Sequence, residues 1–259
     1  MKITALTENT SVCGMPVEHG LSLFIELNGR VLLFDTGQTA LFADNAARMN
    51  IDLSRVDICV LSHGHYDHGG GLKRFLELNS KAPVYLSRYA FEPHFNGGRY
   101  IGLDPSLRDS GRFVFTDGVT KIADGLTLYS CNGREKKLDL GSFGLNAETD
   151  GKIVPDNFRH EHYLMIEENG RRVLISGCSH KGIINIADWF RPDVLVGGFH
   201  FNRIQPGDRL RELAQTLASY DTDYYTCHCT GVEQYEYMKR FMPRLNYIST
   251  GEAIEIKCD

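Results

Sequence analysis

The chain has 259 residues, 42% hydrophobic and 24% charged, a composition that argues against a disordered or membrane class and leaves room for a sizeable core. Its 28 Lys and Arg stand against 33 Asp and Glu, a net charge of −5, and no long basic run interrupts it, so no nucleic-acid surface is expected. Met1 to Glu8 lacks the apolar stretch of a signal peptide, no apolar run reaches bilayer length, and the seven cysteines are odd in number and scattered, which together predict a cytoplasmic protein with reduced thiols and no membrane contact.

In chain order, Leu21 to Leu27 and Arg30 to Phe34 are strand-like runs joined by Asn28-Gly29, the dipeptide most typical of a tight hairpin. A helical pattern at Leu41 to Met49, an apolar strand at Val56 to Leu61 and a second helical pattern at Gly70 to Leu78 follow. Strands are predicted near Val84 and at Leu126 to Tyr129. The stretch from Asn132 to Arg159, rich in glycine and charge, is too long for a neutral connection and is read as a substrate-facing loop. His162 to Glu168, Asn169-Gly170 and Arg171 to Ile175 then repeat the first hairpin 141 positions on (28 to 169), again followed by a helix, Ile183 to Phe190, and a strand, Val194 to Val196. Helices at Asp208 to Tyr220 and Val232 to Phe241, with strands at Asp223 to Thr226 and near Tyr247, complete the alternation. No linker composition appears, so residues 1–259 are expected to form a single α/β domain of two similar halves. Packed sheet on sheet with helices outside, they make a four-layer αββα sandwich whose strand ends face one cleft.

The chemistry concentrates at Ser62-His63-Gly64-His65-Tyr66-Asp67-His68, directly after the apolar strand and before three glycines. Imidazoles two apart in an extended loop can chelate one divalent ion, while Asp67 and His68, turned into the following helix, can reach a second. The bland alternative is a set of surface histidines in a glycine-rich turn. Three His and one Asp within six residues, placed after a buried strand, weigh against it.

This His-x-His-x-Asp-His motif resembles the signature of the metallo-β-lactamase superfamily, and the duplicated order agrees with that resemblance over nearly the whole chain. Glu18-His19-Gly20-Leu21-Ser22, Asp35-Thr36-Gly37, Ser62 to Leu72, Gly177 to Gly182, Gly197-Gly198-Phe199-His200 and His228-Cys229-Thr230-Gly231 resemble one branch. That branch includes the 7,8-dihydropterin-6-methyl-4-(β-D-ribofuranosyl)aminobenzene-5′-phosphate synthases. The resemblance implies a metal-ligand set of His63, His65, Asp67, His68, His180 and His228, the last two against the alternative of satisfied core histidines. It also places Cys178 where a bridging Asp is usual, either as a thiolate ligand or as a small buried hydrophobe. Cys227 and Cys229, on an extended strand, would point away from His228 and are read as packing. Asp35 either accepts the outer ring proton of a ligand His or only makes a turn. His19 and His200 either contact substrate or make structural hydrogen bonds.

Two divalent ions, zinc before iron or manganese, would activate water, so a metal-dependent hydrolase with Asp67 and His200 as catalytic residues is expected. The alternatives are a dihydropterin-linked synthase displacing diphosphate, iron-based redox chemistry, and a non-catalytic metal-binding ligand sensor. The expected partner is an anionic small molecule, a phosphate on a flat or cyclic group, for which the resemblance adds a phosphorylated ribose and a pterin ring. Arg134, Lys136, Lys137, Lys152 and Arg159 are the candidate cations that would attract it, with Phe143, Phe158 and Phe199 to stack.

Overall fold

In the computed structural model, which describes residues 1–27 and 29–257, the hairpin strands are apolar on both faces, and that decides the layering. Along Ser22–Leu27 and Arg30–Phe34, Leu23, Ile25, Leu27, Leu32 and Phe34 enter one core, while Phe24, Val31 and Leu33 enter another. Tyr163–Glu168 divides likewise, Leu164 and Ile166 to the shared inner core and Tyr163 and Met165 to an outer one. Strands buried on both faces need a cover on each side. The inner cover is the other sheet. The outer covers are Phe42, Ala46, Leu72 and Phe75 of helices Leu41–Arg48 and Leu72–Leu78 on one side. On the other side Ile183, Ile186, Leu210, Leu217 and Met238 of Ile183–Phe190, Asp208–Ala218 and Val232–Lys239 do the same. The result is the αββα sandwich expected.

The first sheet runs Ala253–Glu255, Lys2–Thr7, Ser22–Leu27, Arg30–Phe34, Ile58–Val60, Val84–Ser87, Phe113–Thr116. The second runs Leu245–Tyr247, Asp223–Thr226, Val194–Val196, Arg171–Ile175, Tyr163–Glu168, Leu126–Tyr129, Val119–Ala123. In each, the hairpin is antiparallel and its second strand pairs in parallel with the strand after the next helix, Arg30–Phe34 with Ile58–Val60 and Arg171–Ile175 with Val194–Val196. The hairpin strands recur at the same 141-residue spacing that the sequence carries (Ser22–Leu27 to Tyr163–Glu168). Asn169 and Gly170 both have positive φ, 49° and 80°, as a two-residue turn of this hand requires; Asn28 lies outside the described residues. His63, Cys178, His200 and His228 each follow the carboxyl end of a parallel strand, the edge where open α/β sheets hold their ligands.

One expectation is corrected. The stretch 132–159 contains Leu145–Thr149 and Lys152–Pro155, an antiparallel hairpin that joins His94–Asn96 and Arg99–Tyr100 in a separate four-stranded sheet. Its turn is Asp150-Gly151, both at positive φ (51° and 72°), a hairpin signal hidden by the mixed polarity of the flanking strands. Among the described residues no helix is long and apolar enough to cross a membrane.

Candidate metal centre

The loop after Ile58–Val60 turns back sharply at Gly64, where an added Cβ would stand 2.1 Å from the Ala90 carbonyl oxygen. Only glycine passes there. Its N–H donates to His160 Nδ1 at 2.9 Å. His65 is extended (φ −96°, ψ 147°) and opens a single helical turn, Tyr66–Gly69, which carries Asp67 and His68. The His63 ring therefore lies 4.6 Å from that of His65 and 4.1 Å from that of His68. From the second half, the His180 ring comes to 4.9 Å from His63 and 5.0 Å from His65.

Two neighbouring groups result. One potential ligand atom from each of His63, His65 and His180 lies within 4.8 Å of the others. In the second group, His68 Nε2 stands 3.1 Å from Cys178 Sγ and 3.2 Å from His228 Nε2. Asp67 Oδ2 lies 3.8 Å from the former nitrogen and 3.5 Å from the latter. Gly177 permits the approach of the halves, since a Cβ there would sit 2.2 Å from Ser62 Oγ.

Outer hydrogen bonds set which ring nitrogens face inward. Asp35 accepts from the Ser62 N–H and hydroxyl (both 2.7 Å) and from His68 Nδ1 (2.7 Å). With its one proton given to Asp35, the Ser62 hydroxyl accepts from His63 Nδ1 at 2.8 Å, and Asn9 Oδ1 accepts from His228 Nδ1 at 2.8 Å. Each of these Nδ1 atoms must carry a hydrogen, so each Nε2 is the nitrogen turned inward, where it can ligate once it gives up any proton of its own. His63 Nε2 and both nitrogens of His180 are buried without a partner. Such a concentration of unpartnered buried ring nitrogens costs free energy unless a cation engages their lone pairs. The donor set fits divalent metal.

Burial alone would lower the His68 imidazole, but the carboxylates of Asp35 and Asp67 outweigh it and raise it to about 9. Burial alone would raise the Asp67 carboxyl, but His68, His19 and His228 hold it well below the usual carboxylate range. The Cys178 thiol is pushed up by burial and by Cys229 beside it; a divalent cation is what would reverse that.

All six residues expected as ligands thus converge on one cleft, and Cys178 joins them. His200 lines the same cleft, its ring 4.4 Å from His180 and its Nδ1 buried without a partner. His19 Nε2 stands 3.2 Å from Asp67 Oδ2. Asp35 has both roles foreseen for it, a left-handed turn (φ 61°) and the orienting of His68.

Three expectations fail. Cys229 does not point away: His228 is left-handed (φ 51°) and opens the single turn His228–Thr230, so Cys229 swings into the cleft with Cys178, while Cys227 packs in the core as expected. Of the supposed attracting cations none lines the cleft. Arg134 bonds the Trp189 carbonyl, Lys136 pairs with Asp139, Lys137 with Asp188 and Arg159 with Glu92, while Lys152 is exposed on its outer hairpin. Phe199 is buried against Phe201 and Tyr224; only Phe143 and Phe158 stand at the site, the latter stacked on His180 at 4.5 Å and 9°.

Sequence reasoning also missed a buried cluster behind His65. Asp156 Oδ2 accepts from His94 Nδ1 and His160 Nε2, both at 3.1 Å, and lies 3.9 Å from His65 Nε2. Glu8, fully buried, accepts from the His228 N–H and the Tyr247 hydroxyl.

Comparison with known proteins gives concordant matches. Residues 15–220 match the family model described as the metallo-beta-lactamase superfamily. An uncharacterized protein of Methanocaldococcus jannaschii is 30% identical over 88% of this chain and 90% of its own length. The 7,8-dihydropterin-6-methyl-4-(beta-D-ribofuranosyl)-aminobenzene-5'-phosphate synthase of the same organism is 28% identical over 98% and 96%. A crystal structure described as a metal-dependent hydrolase of the beta-lactamase superfamily superposes with a TM-score of 0.82 at 29% identity, covering 99% of both chains.

Proposed function

The chain belongs to the metallo-beta-lactamase superfamily, and from that premise we propose that its cleft is a two-metal centre performing hydrolysis on an anionic small molecule. One observation carries this reading: the Nε2 atoms of His68 and His228 face each other across 3.2 Å, with the Cys178 sulfur 3.1 Å from the first. Two ring nitrogens that close need a cation between them, a proton in the metal-free centre or a metal ion in the loaded one. His63, His65 and His180 would hold the first ion, and Asp67, His68, His228 and Cys178 the second, zinc suiting the mixed imidazole and thiolate set.

Bound there, divalent ions would supply a water acidic enough to attack at neutral pH and a Lewis acid for the ester or phosphoryl oxygen. The remaining tasks fall to the chain. Asp35, Ser62 and Asn9 fix the outer ring protons of His63, His68 and His228 and thereby turn the inner nitrogens toward the cleft. Asp67, beside His19 and His228, can accept a proton from the attacking water. His200, with a free Nδ1 over the cleft, can return one to the departing group.

The synthase among the relatives supports a second reading, in which the same centre holds a diphosphate leaving group while another nucleophile attacks. Anomalous scattering at the zinc, iron and manganese edges, joined to product analysis on phosphodiesters, phosphomonoesters and lactones, tests both. Two ions at the named side chains with water-derived products support the hydrolase. Turnover only with a second organic nucleophile favours the synthase. Protein that takes up no divalent metal would end both readings.

A further inference from the structure

The cleft carries two guanidinium groups that the metal centre does not use. Arg99 enters from the four-stranded sheet, at the hairpin of His94–Asn96 and Arg99–Tyr100, and Arg203 from the segment after Val194–Val196. Each has a cleft-lining asparagine beside it, Asn96 and Asn202. Among the described residues neither arginine forms an ion pair, and Asp67, already surrounded by three imidazoles, is the one carboxylate lining the cleft. In a chain of net charge −5, two unpaired guanidinium groups in one cleft make it locally cationic.

Both arginines are exposed but held. The Arg99 guanidinium lies 5.0 Å over the Tyr66 ring, between His65 and Asp67 in sequence, and Arg203 Nη1 donates to the Phe143 carbonyl at 2.8 Å. That carbonyl takes one of the five guanidinium N–H groups, leaving the rest free. Preorganised forks of this kind match an oxyanion through parallel charge-assisted bonds, and two of them match a dianion better than a monoanion.

We propose that Arg99 and Arg203, with Asn96 and Asn202, form a subsite for a phosphate monoester or phosphonate dianion on the substrate, outside the metal ligands. This deepens the hydrolase reading and rests on it only for what the metals do to the rest of the substrate. The dianion subsite stands on the arginines alone.

The probe is phenylphosphonate, titrated calorimetrically into zinc-loaded wild type, Arg99→Gln, Arg203→Gln, the double variant and Lys152→Gln, with benzoate as the monoanionic comparison. Zinc content is measured on the same samples. Each arginine variant is expected to weaken phenylphosphonate binding about tenfold or more, as loss of a charge-assisted bond implies, with zinc content and melting temperature unchanged. Lys152→Gln, which removes an exposed cation away from the cleft, is expected to stay within twofold. Binding to the double variant within twofold of wild type would overturn the subsite. So would an equal loss in Lys152→Gln, or benzoate binding as tightly as phenylphosphonate. A wild type without stoichiometric zinc would instead count against the metal centre, a failure read on a separate channel.

Discussion

Asp156 Oδ2 lies 3.9 Å from Nε2 of His65, at the centre of a buried cluster in which it accepts hydrogen bonds from His94 and His160. The four side chains could be mistaken for a third metal site. The hydrogen bonding argues otherwise: His160 Nδ1 accepts from the Gly64 N–H, so its proton is on Nε2, and a protonated nitrogen cannot ligate. Burial alone would raise the Asp156 carboxyl, but His160, His65 and His94 hold it far below the ordinary carboxylate range. Beyond hydrogen-bond reach of His65, it acts on that imidazole through its charge, which favours a proton on the Nε2 facing it and a lone pair on Nδ1.

Asp156→Asn is accordingly expected to weaken zinc binding by about 10–100-fold, the usual effect of losing an orienting partner. Competition with a chromophoric chelator reads this directly. Affinity within twofold of wild type would remove Asp156 from the centre.

The Cys178 thiolate should be a ligand in the loaded protein. Substitution with cobalt(II) is expected to give a thiolate-to-metal charge-transfer band in wild type and in Cys229→Ala, but not in Cys178→Ala. A band that instead survives Cys178→Ala and vanishes in Cys229→Ala would reassign the ligand to Cys229, whose sulfur shares the same pocket.

How much of this was legible in sequence follows from how local each signal is. The two hairpins announce themselves because apolar residues continue on both faces and Asn169-Gly170 makes the turn. The His63 to His68 motif is legible because its members share one loop. His94, Asp156 and His160 meet only because the four-stranded sheet and the loop after it close over His65; His94 and Asp156 are 62 residues apart. Arg99 and Arg203 are likewise single residues whose meaning lies in the cleft they share. The swing of Cys229 depends on one dihedral, the positive φ of His228, which residue type does not encode.

His162 offers a test of stability against pH. Burial, with nearby Lys181 adding to it and the Leu61 carbonyl opposing, lowers its imidazole to about 4. Its ring donates through Nε2 to that carbonyl at 2.7 Å and meets the Thr116 hydroxyl through Nδ1. In the unfolded chain the group takes up a proton near its ordinary 6.5. The unfolded state therefore binds the extra proton first as pH falls, and the contribution present above pH 6.5 is lost between there and about 4. The loss amounts to about 3 kcal/mol over that window. Urea denaturation of metal-free wild type and His162→Gln at pH 7 and pH 5 should show the gap between them narrowing at the lower pH. A gap that stays constant would mean that His162 keeps its ordinary titration in the fold.

Asp67→Asn separates chemistry from folding. The carboxylate stands in the cleft with its side chain 11% exposed, and its charged neighbours are His19, His68 and His228, all at the site. None of the apolar clusters that hold the sheets and helices together includes it. Asparagine has the same shape and keeps one carbonyl oxygen for the His19 or His228 contact, so the fold should survive with only the loss of the charge that the three imidazoles attract. Function should suffer far more, because the neutral amide is a poor metal ligand and cannot take a proton from water. A loss beyond the roughly 10–100-fold of an outer-shell change is expected in kcat/KM, together with loss of one equivalent of zinc. Calorimetric melting, zinc analysis and turnover on one preparation decide it. If the variant melts well below wild type while its folded fraction keeps both zinc ions and wild-type specific activity, Asp67 supports the loop and takes no part in the reaction.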